Sequence, residues 1–177
     1  MREPVTAARV EEFMRALGKG VSIPARVFFV GGSSAVLLGW RNSTIDIDLK
    51  AIPERDDFLR QLSVLKERLE INIELAAPDN FIPALPGWED RSQFVRQEGK
   101  LTFLHYDFYA QALAKIERGH DHDLDDAKQM VKSKLVDTRR LLEFFSRIEG
   151  DIAKYPALNA SAFRRAVELF VRQNPSE

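Results

Sequence analysis

The first 40 residues show two hydrophobic patterns, one typical of a helix and one typical of a strand. Apolar residues recur every three or four positions between Val10 and Leu17, which predicts a helix from about Thr6 to Leu17, ended by the glycines that follow. The segment Arg26–Val30 is short, aromatic and β-branched, which predicts a strand. It leads through Gly31–Ser34 into the apolar run Ala35–Leu38, so we expect a strand, a tight turn and a helix.

Strict alternation of apolar and polar residues between Thr44 and Lys50 predicts a half-buried strand. We expect three apolar residues, beginning with Ile45, on its buried face. Asp46 and Asp48 then fall together on the opposite face. Two carboxylates two positions apart on one strand face project side by side, which is an arrangement that can hold hard divalent cations.

A third acidic residue, Glu74, lies on the polar face of another predicted strand. A helical stripe between Phe58 and Leu69 is followed by alternation from Ile71 to Leu75, with Glu74 on the polar face. The proline-rich stretch Ala76–Ser92 predicts a loop, and Phe94–Phe103 predicts a hairpin. We therefore expect an α/β (α+β) fold, in which a mixed central sheet is flanked by helices.

Helical periodicity returns after the predicted hairpin and continues to the end of the chain. This change predicts a core over residues 1–105 and a helical C-terminal region over residues 106–177, packed on the core. The chain has 177 residues, which is close to the size of one typical domain of about 150 residues. We therefore expect a core with a helical appendage rather than a series of independent modules.

Composition narrows the possible chemistry. The 26 basic residues nearly balance the 27 acidic residues, so no overall field holds the protein on RNA or on anionic lipid. The chain has no cysteine, which excludes disulfides, thiolate metal sites and a cysteine nucleophile. The longest uncharged stretch, Val27–Trp40, is shorter than the roughly 20 apolar residues of a membrane span. We expect a soluble, cytoplasmic protein with no membrane partner.

The glycine-serine turn and the aspartate pair together are more informative than either alone. Gly31, Gly32 and Ser33 lie where a strand enters a helix, and unpaired N–H groups at a helix start favour a phosphate. Gly-Gly after a strand is often only a turn, and Asp-x-Asp is often only an exposed polar face. Adjacent carboxylates repel each other, however, unless a cation or solvent offsets the repulsion. The pair therefore predicts a metal site beside a phosphate-binding turn.

These residues carry a resemblance to a known superfamily. The segment Val30–Leu49, which contains the Gly-Gly-Ser and Asp-Ile-Asp motifs, resembles the signature of the DNA polymerase β-type nucleotidyltransferases. It is most similar to their minimal prokaryotic branch, which includes the abortive-infection type IV toxin-antitoxin nucleotidyltransferases. The segments Ile82–Trp88 and His105–Gly119 resemble an uncharacterised subgroup of this superfamily. The resemblance implies a nucleotidyltransferase (polymerase β-like) fold.

The resemblance also implies ligands for the metal. In that superfamily the two motif aspartates, here Asp46 and Asp48, bind Mg²⁺ or Mn²⁺ together with a third carboxylate from a neighbouring strand. Parity favours Glu74 as this third ligand. Asp79, just past the strand, and Asp107, at the start of the next helix, remain alternatives at this stage.

The implied substrate is a nucleoside triphosphate (NTP). Gly31, Gly32 and Ser33 would hold its phosphates, and Arg41 would assist in nucleotide binding. The relatives also carry a helical lysine followed by a basic and acidic segment, which Lys115, Arg118, Asp123 and Asp126 match loosely. Lys115 and Arg118, one helical turn apart, can contact a triphosphate together. The alternative for these two residues is a solvated helix face, paired with Glu117 and Asp121.

The implied reaction is the transfer of NMP from the NTP to a hydroxyl of an RNA 3′ end or of a protein. A role in a toxin-antitoxin system, with a cognate toxin or antitoxin as partner, follows from the same resemblance. One alternative is a catalytically inactive nucleotidyltransferase-fold module that binds a partner protein. A nucleotide-sugar glycosyltransferase that uses Asp-x-Asp is a further alternative, although the motif lies early and the chain is short for that fold.

Overall fold

Five strands form one mixed sheet in the computed structural model, which describes residues 2–177. The strands are β1 Ala25–Val30, β2 Asp46–Ile52, β3 Asn72–Leu75, β4 Gln93–Glu98 and β5 Leu101–His105. Their order in the sheet is β3-β2-β1-β5-β4. The strand β1 pairs antiparallel with β2 and parallel with β5, β2 pairs parallel with β3, and β4 and β5 form an antiparallel hairpin. The mixed sheet and the hairpin predicted from the sequence are thus confirmed.

The described residues divide into two units, and all five strands belong to the first. Unit 1 comprises the described residues of Met1–Ala77 together with Ser92–Tyr106, and unit 2 comprises Pro78–Arg91 and Asp107–Glu177. The predicted division between residues 105 and 106 puts Pro78–Arg91 in the core and Tyr106 in the C-terminal region. In the structure Pro78–Arg91 belongs to unit 2 and Tyr106 belongs to unit 1. That domain division stays a prediction.

Three helices accompany the sheet in unit 1: α1 Ala7–Gly20, α2 Gly32–Leu38 and α3 Asp56–Arg68. The buried side of α1 carries the apolar residues that predicted it, and Thr6 caps its first turn by accepting from the Arg9 N–H. The core also includes stacked rings of Phe29 and Phe103, whose centroids lie 5.5 Å apart. Burial of one apolar face thus stabilises each of these elements against the sheet.

The glycines of α1 do not end the helix, contrary to the prediction. Gly18 and Gly20 both lie within α1. A Cβ on Gly18 would lie only 2.6 Å from Glu98 Cβ and 2.7 Å from Glu98 O, so this glycine permits close approach to the hairpin. Packing against β4, rather than helix termination, therefore explains the absence of a side chain at position 18.

The strand predicted at residues 44–50 begins and ends two residues later in the structure, as β2 Asp46–Ile52. Thr44 pairs with Val5 in an isolated antiparallel bridge, and the chain bends at Ile45 before β2 begins at Asp46. The prediction that Ile45 is buried is wrong, since its side chain is 73% exposed. Ile47 and Leu49 are fully buried, so the alternation holds from Asp46 onwards.

Unit 2 is helical, in agreement with the predicted C-terminal helices. Apolar side chains of α7 and α8 form part of its core, with the rings of Phe145 and Phe163 4.9 Å apart. Among the described residues, no helix combines the length and the hydrophobicity that crossing a membrane requires. The α-helices are α4 Trp88–Arg91, α5 Phe108–Arg118, α6 Asp121–Lys132, α7 Thr138–Ile148 and α8 Ala160–Gln173, and 3-10 helices span Pro78–Asn80 and Glu149–Lys154.

Candidate metal and nucleotide site

The parallel pair β2 and β3 brings three carboxylates together in unit 1. Asp46 and Asp48 share one face of β2, because Ile47 between them is buried. Asp48 is the register partner of Glu74 on β3, so their side chains lie next to each other across the pair. Each of the three residues offers a carboxylate oxygen, and these oxygens all lie within 4.8 Å of one another.

This donor set fits a hard divalent cation. The two aspartates are half-buried and Glu74 is exposed, so the oxygens remain accessible from solvent. Three like charges in such proximity repel one another, and a cation bound between them removes that repulsion. Mg²⁺ and Mn²⁺ prefer carboxylate oxygen, whereas a softer ion would prefer the thiolates that this chain lacks. The residues therefore suit Mg²⁺ or Mn²⁺.

The glycine-serine turn lies beside this carboxylate group. β1 ends at Val30, which is the register partner of Asp48, and Gly31 follows directly. Gly31 has φ +61° and ψ −126°, a backbone conformation that residues with a Cβ rarely adopt. A Cβ at Gly31 would lie 3.6 Å from Asp48 Oδ2, so the bare backbone of the turn borders the acidic site. The backbone conformation at position 31 therefore favours glycine, and the absence of a side chain leaves this edge of the acidic site open.

Gly32 has a different structural requirement. A Cβ at this position would lie 2.0 Å from Thr44 Oγ1 and 2.6 Å from Thr44 Cβ. Thr44 is itself held by its bridge to Val5, and its Oγ1 donates to Asp46 O over 3.3 Å. Thr44 thus connects the turn to the start of β2. Sequence analysis did not single out Thr44, because its role depends on a long-range contact.

Ser33 lies in the first turn of α2 and is fully buried. Its Oγ has no hydrogen-bond partner among the described residues, which is unusual for a buried hydroxyl. A phosphate oxygen can supply the missing acceptor, but only if the protein moves, because Ser33 has no exposed surface. The role of Ser33 in phosphate binding stays a prediction.

A second serine anchors α2 to the sheet. Ser34 Oγ forms a hydrogen bond of 2.8 Å with His105 Nδ1, and both residues are buried. Burial lowers the pKa of His105 from 6.5 to about 4, so the imidazole is neutral at pH 7. Because His105 is on β5 and Ser34 is on α2, this bond fixes the helix that begins at the glycine-serine turn. Sequence analysis did not anticipate this bond, because it joins residues that are 71 positions apart.

The remaining predicted nucleotide-binding residues lie in different parts of the chain. Arg41 is half-buried in unit 1 shortly after α2, where its N–H donates to Ala35 O. Lys115 and Arg118 belong to α5 in unit 2. Arg41 thus belongs to one unit, and Lys115 and Arg118 belong to the other. The contact of each of these residues with a nucleotide stays a prediction.

Lys115 and Arg118 pair with acids of α6, not with Glu117 and Asp121, which sequence analysis considered as partners. Lys115 Nζ lies 2.9 Å from Asp126 Oδ2 and 3.8 Å from Asp123 Oδ1. Arg118 binds the same Asp123 oxygen at 2.6 Å. Lys115, Asp123 and Asp126 are buried, whereas Arg118 is half exposed. The alternative of a solvated helix face is wrong for Lys115, since its charge is buried with two aspartates.

The two alternatives to Glu74 as a metal ligand both lie in unit 2. Asp79 is in the first 3-10 helix. Asp107 caps α5 by accepting from the Tyr109 N–H at 3.2 Å, and it pairs with Arg91 at 2.9 Å. Burial raises the pKa of the Asp107 carboxyl, although the hydrogen bond and charge of Arg91 oppose the rise. The acidic group that the structure forms contains Glu74 and neither alternative.

Comparison with known families agrees with this geometry. A family model described as a nucleotidyltransferase of unknown function, DUF6036, matches residues 7–172. The chain belongs to this nucleotidyltransferase family. No match was found among curated proteins or among solved structures. Membership supports nucleotidyl transfer as the general activity, and it agrees with the resemblance that the Gly-Gly-Ser and Asp-Ile-Asp motifs carried.

For a nucleotidyltransferase, the acidic group and the neighbouring turn have a clear chemical use. Divalent cations are generally required by such enzymes, and three carboxylates are the donors that the cations prefer. The backbone of a glycine turn at a helix start favours a phosphate nearby. The geometry of this nucleotidyltransferase can therefore bring a cation and a triphosphate to the same edge of the sheet.

Proposed function

We propose that this protein transfers NMP from an NTP to a hydroxyl of RNA or protein in a reaction that depends on a divalent cation. The acceptor oxygen forms a bond to the α-phosphorus, and the bond from that phosphorus to the pyrophosphate oxygen breaks. Pyrophosphate leaves and the hydroxyl proton passes to solvent. The observation that carries the proposal is the group of three carboxylate oxygens within 4.8 Å, in a chain of a nucleotidyltransferase family.

The proposal assigns the metal to the acidic group. Asp46, Asp48 and Glu74 would hold Mg²⁺ or Mn²⁺, and Glu74 would be a ligand of the cation that activates the attacking oxygen. When bound, the cation neutralises phosphate charge and makes the acceptor hydroxyl easier to deprotonate. The register pairing of Asp48 with Glu74 supports this assignment, because it keeps both carboxylates on one side of the sheet.

The proposal assigns the phosphates to the turn. Gly31 leaves bare backbone beside the acidic site, Gly32 binds through its backbone N–H, and the Ser33 hydroxyl donates to a phosphate oxygen once it becomes accessible. Arg41, also of unit 1, adds positive charge. A contact of Lys115 or Arg118 with the nucleotide stays a prediction from the resemblance, and Lys115 is already paired with Asp126.

The acceptor is an RNA 3′ end or a protein hydroxyl, and the chain acts as one component of a toxin-antitoxin pair. Both finer statements rest on the sequence resemblance. The alternative of a catalytically inactive partner-binding module predicts that Mg²⁺ and NTP do not bind. The complete set of three carboxylates favours an enzyme over that alternative.

The test is incubation with each NTP labelled at the α-phosphate, Mg²⁺, and either total RNA or cell lysate. We expect wild-type protein to transfer label and to release pyrophosphate in equal amount. The double variant Asp46→Ala with Asp48→Ala should transfer none.

Two further variants separate the acidic group from general charge effects. Glu74→Gln should abolish or strongly reduce labelling, whereas Glu54→Gln, an exposed acid of unit 1 outside the group, should label as wild type does. Equal labelling by wild type and the double aspartate variant would exclude catalysis at this site. Release of nucleoside diphosphate in place of pyrophosphate would indicate cleavage between the β- and γ-phosphates and would also contradict the proposal.

A further inference from the structure

A cavity in unit 2 lies outside the acidic site and has basic side chains at its edge. Its volume is about 570 Å³, within the range of ligand pockets. The end of α6 and the start of α7 line it, and Lys132, Lys134 and Arg140 contribute the positive charges. Tyr109 of α5 contributes an aromatic ring to the same lining.

These three basic residues are distinguished by lining one cavity together, since several other basic residues in the described part of unit 2 also form no ion pair. None of the three forms an ion pair with a carboxylate of residues 2–177, and all three are exposed. Other basic residues of unit 2 do pair with acids: Arg91, Lys115, Arg118, Lys154 and Arg164. The basic side chains at the cavity thus keep their charge available for an external anion.

The two acidic residues of the lining leave an excess of positive charge. Asp137 is committed to α7, because its Oδ1 accepts from the N–H groups of Arg139 and Arg140. Its own N–H donates to the Tyr109 hydroxyl over 3.0 Å. Glu177 is the other acid of the lining. Three cations against two carboxylates, one of them used as a helix cap, favour an anionic ligand.

Lys134 occupies a backbone position that favours glycine. Its φ is +61°, and the N–H of Leu135 donates to Met130 O to close the end of α6. Glycine is the usual residue at such a left-handed position after a helix. The Lys134 side chain lines the cavity, so the residue at this position places an ammonium group there.

Arg140 has the geometry of a stacking platform. Its guanidinium carbon lies 5.2 Å from the ring centre of Tyr109 and 5.5 Å from that of Phe144. Held by rings and not by a carboxylate, the guanidinium keeps its donors and a planar surface for a ligand. Arg147, also exposed, approaches Phe144 at 5.4 Å. The helix α7 carries Arg139, Arg140 and Arg147 against the one acid Glu143, so its exposed surface has a net positive charge beyond the cavity.

We infer that this cavity and the adjoining α7 surface bind the phosphodiester backbone of single-stranded RNA. Lysine charges neutralise phosphates, and an arginine plane backed by aromatic rings can stack on a base. Charge that continues outside the cavity fits a chain of phosphates better than a single nucleotide. The inference rests on the proposed function only in identifying this RNA as the acceptor, since binding itself requires no catalysis.

The test is fluorescence anisotropy of a short labelled single-stranded RNA over a series of salt concentrations, without Mg²⁺ or NTP. For the double variant Lys132→Gln with Lys134→Gly we expect weaker binding. The slope of log K against log salt should fall by about 1.4, since each lost phosphate contact contributes about 0.7. No RNA binding by wild type, or an unchanged affinity and slope in the variant, would overturn the inference.

Matched controls separate charge from folding. Glu70 also has a positive φ, +54°, and lies in unit 1, so Glu70→Gly relieves the same type of backbone strain without changing the cavity. Both glycine variants should unfold at or above the wild-type temperature. Glu70→Gly and Lys100→Gln, which removes an exposed lysine of unit 1, should bind RNA as wild type does.

Competition identifies the source of the anion. Unlabelled RNA should displace the probe, whereas free NTP or polyglutamate at equal charge concentration should not. Displacement by either of these as effective as by RNA would overturn the RNA assignment in favour of a nucleotide pocket or an acidic protein partner. If wild type binds RNA, and the variant Lys132→Gln with Lys134→Gly binds it more weakly, while wild type transfers no label, the proposed function fails and this inference stands.

Discussion

The buried bond between Ser34 and His105 predicts a specific dependence of stability on pH. His105 is only 6% exposed, and burial lowers its pKa from 6.5 to about 4. In the unfolded chain the imidazole takes up a proton near pH 6.5, whereas in the folded protein it stays neutral until about pH 4. The stability contributed by a neutral His105 is therefore complete above pH 6.5 and is lost as the pH falls towards 4.

The size of the effect follows from the two pKa values. Linkage gives a loss of about 2 kcal/mol in the free energy of unfolding between pH 8 and pH 5, and about 3 kcal/mol by pH 4. The variant His105→Gln cannot take up this proton. The difference in unfolding free energy between wild type and this variant should therefore change by these amounts, because contributions of other groups cancel.

Urea unfolding, followed by the fluorescence of Trp40 and Trp88, measures these free energies at each pH. The exposed His120 offers a matched control, and His120→Gln should follow the wild-type pH dependence closely. A difference between wild type and His105→Gln that stays constant from pH 8 to pH 5 would refute the argument. It would mean that the histidine is not held neutral by burial.

Three further changes test contacts in the two units by the same unfolding assay. Gly32→Ala should lower the unfolding free energy by about 1–3 kcal/mol, because its Cβ would clash with Thr44, and adding Thr44→Gly should reduce that loss. Arg91→Met should cost about 3–5 kcal/mol, since it leaves the buried Asp107 without its cation, and combining it with Asp107→Asn should cost less. Lys115→Met should cost about 3–5 kcal/mol, because the buried Asp126 loses its ion pair with Lys115, whereas Asp123 keeps Arg118. Unchanged unfolding free energies in these variants would contradict the assigned contacts.

The acidic group illustrates what alternation along a chain can predict. A period of two puts Asp46 and Asp48 on one face, and the same rule gives Glu74 its parity. The rule does not say which strands are neighbours. The pairing of Asp48 with Glu74 depends on β2 and β3 being parallel and in register, which is decided by the packing of α3 and the core of unit 1.

Other features depended on contacts between distant segments and could not be read from local pattern. The bridge between Val5 and Thr44 overrides the alternation at Ile45, which is therefore exposed. Gly18 reads as a helix terminator in the sequence, but the helix continues through it, because its missing side chain makes room for the hairpin. The partners of Lys115 on α6 likewise depend on how two helices meet, which spacing within α5 does not determine.

The central claim is that Asp46, Asp48 and Glu74 together bind a divalent cation. Electron paramagnetic resonance measures it directly, because Mn²⁺ loses its sharp free-ion signal when it binds protein. We predict that wild type depletes the free Mn²⁺ signal in a saturable way and that Mg²⁺ competes. Asp48→Asn should lose this binding while remaining folded, since it removes a repelling charge. Equal depletion of the Mn²⁺ signal by wild type and Asp48→Asn would contradict the account.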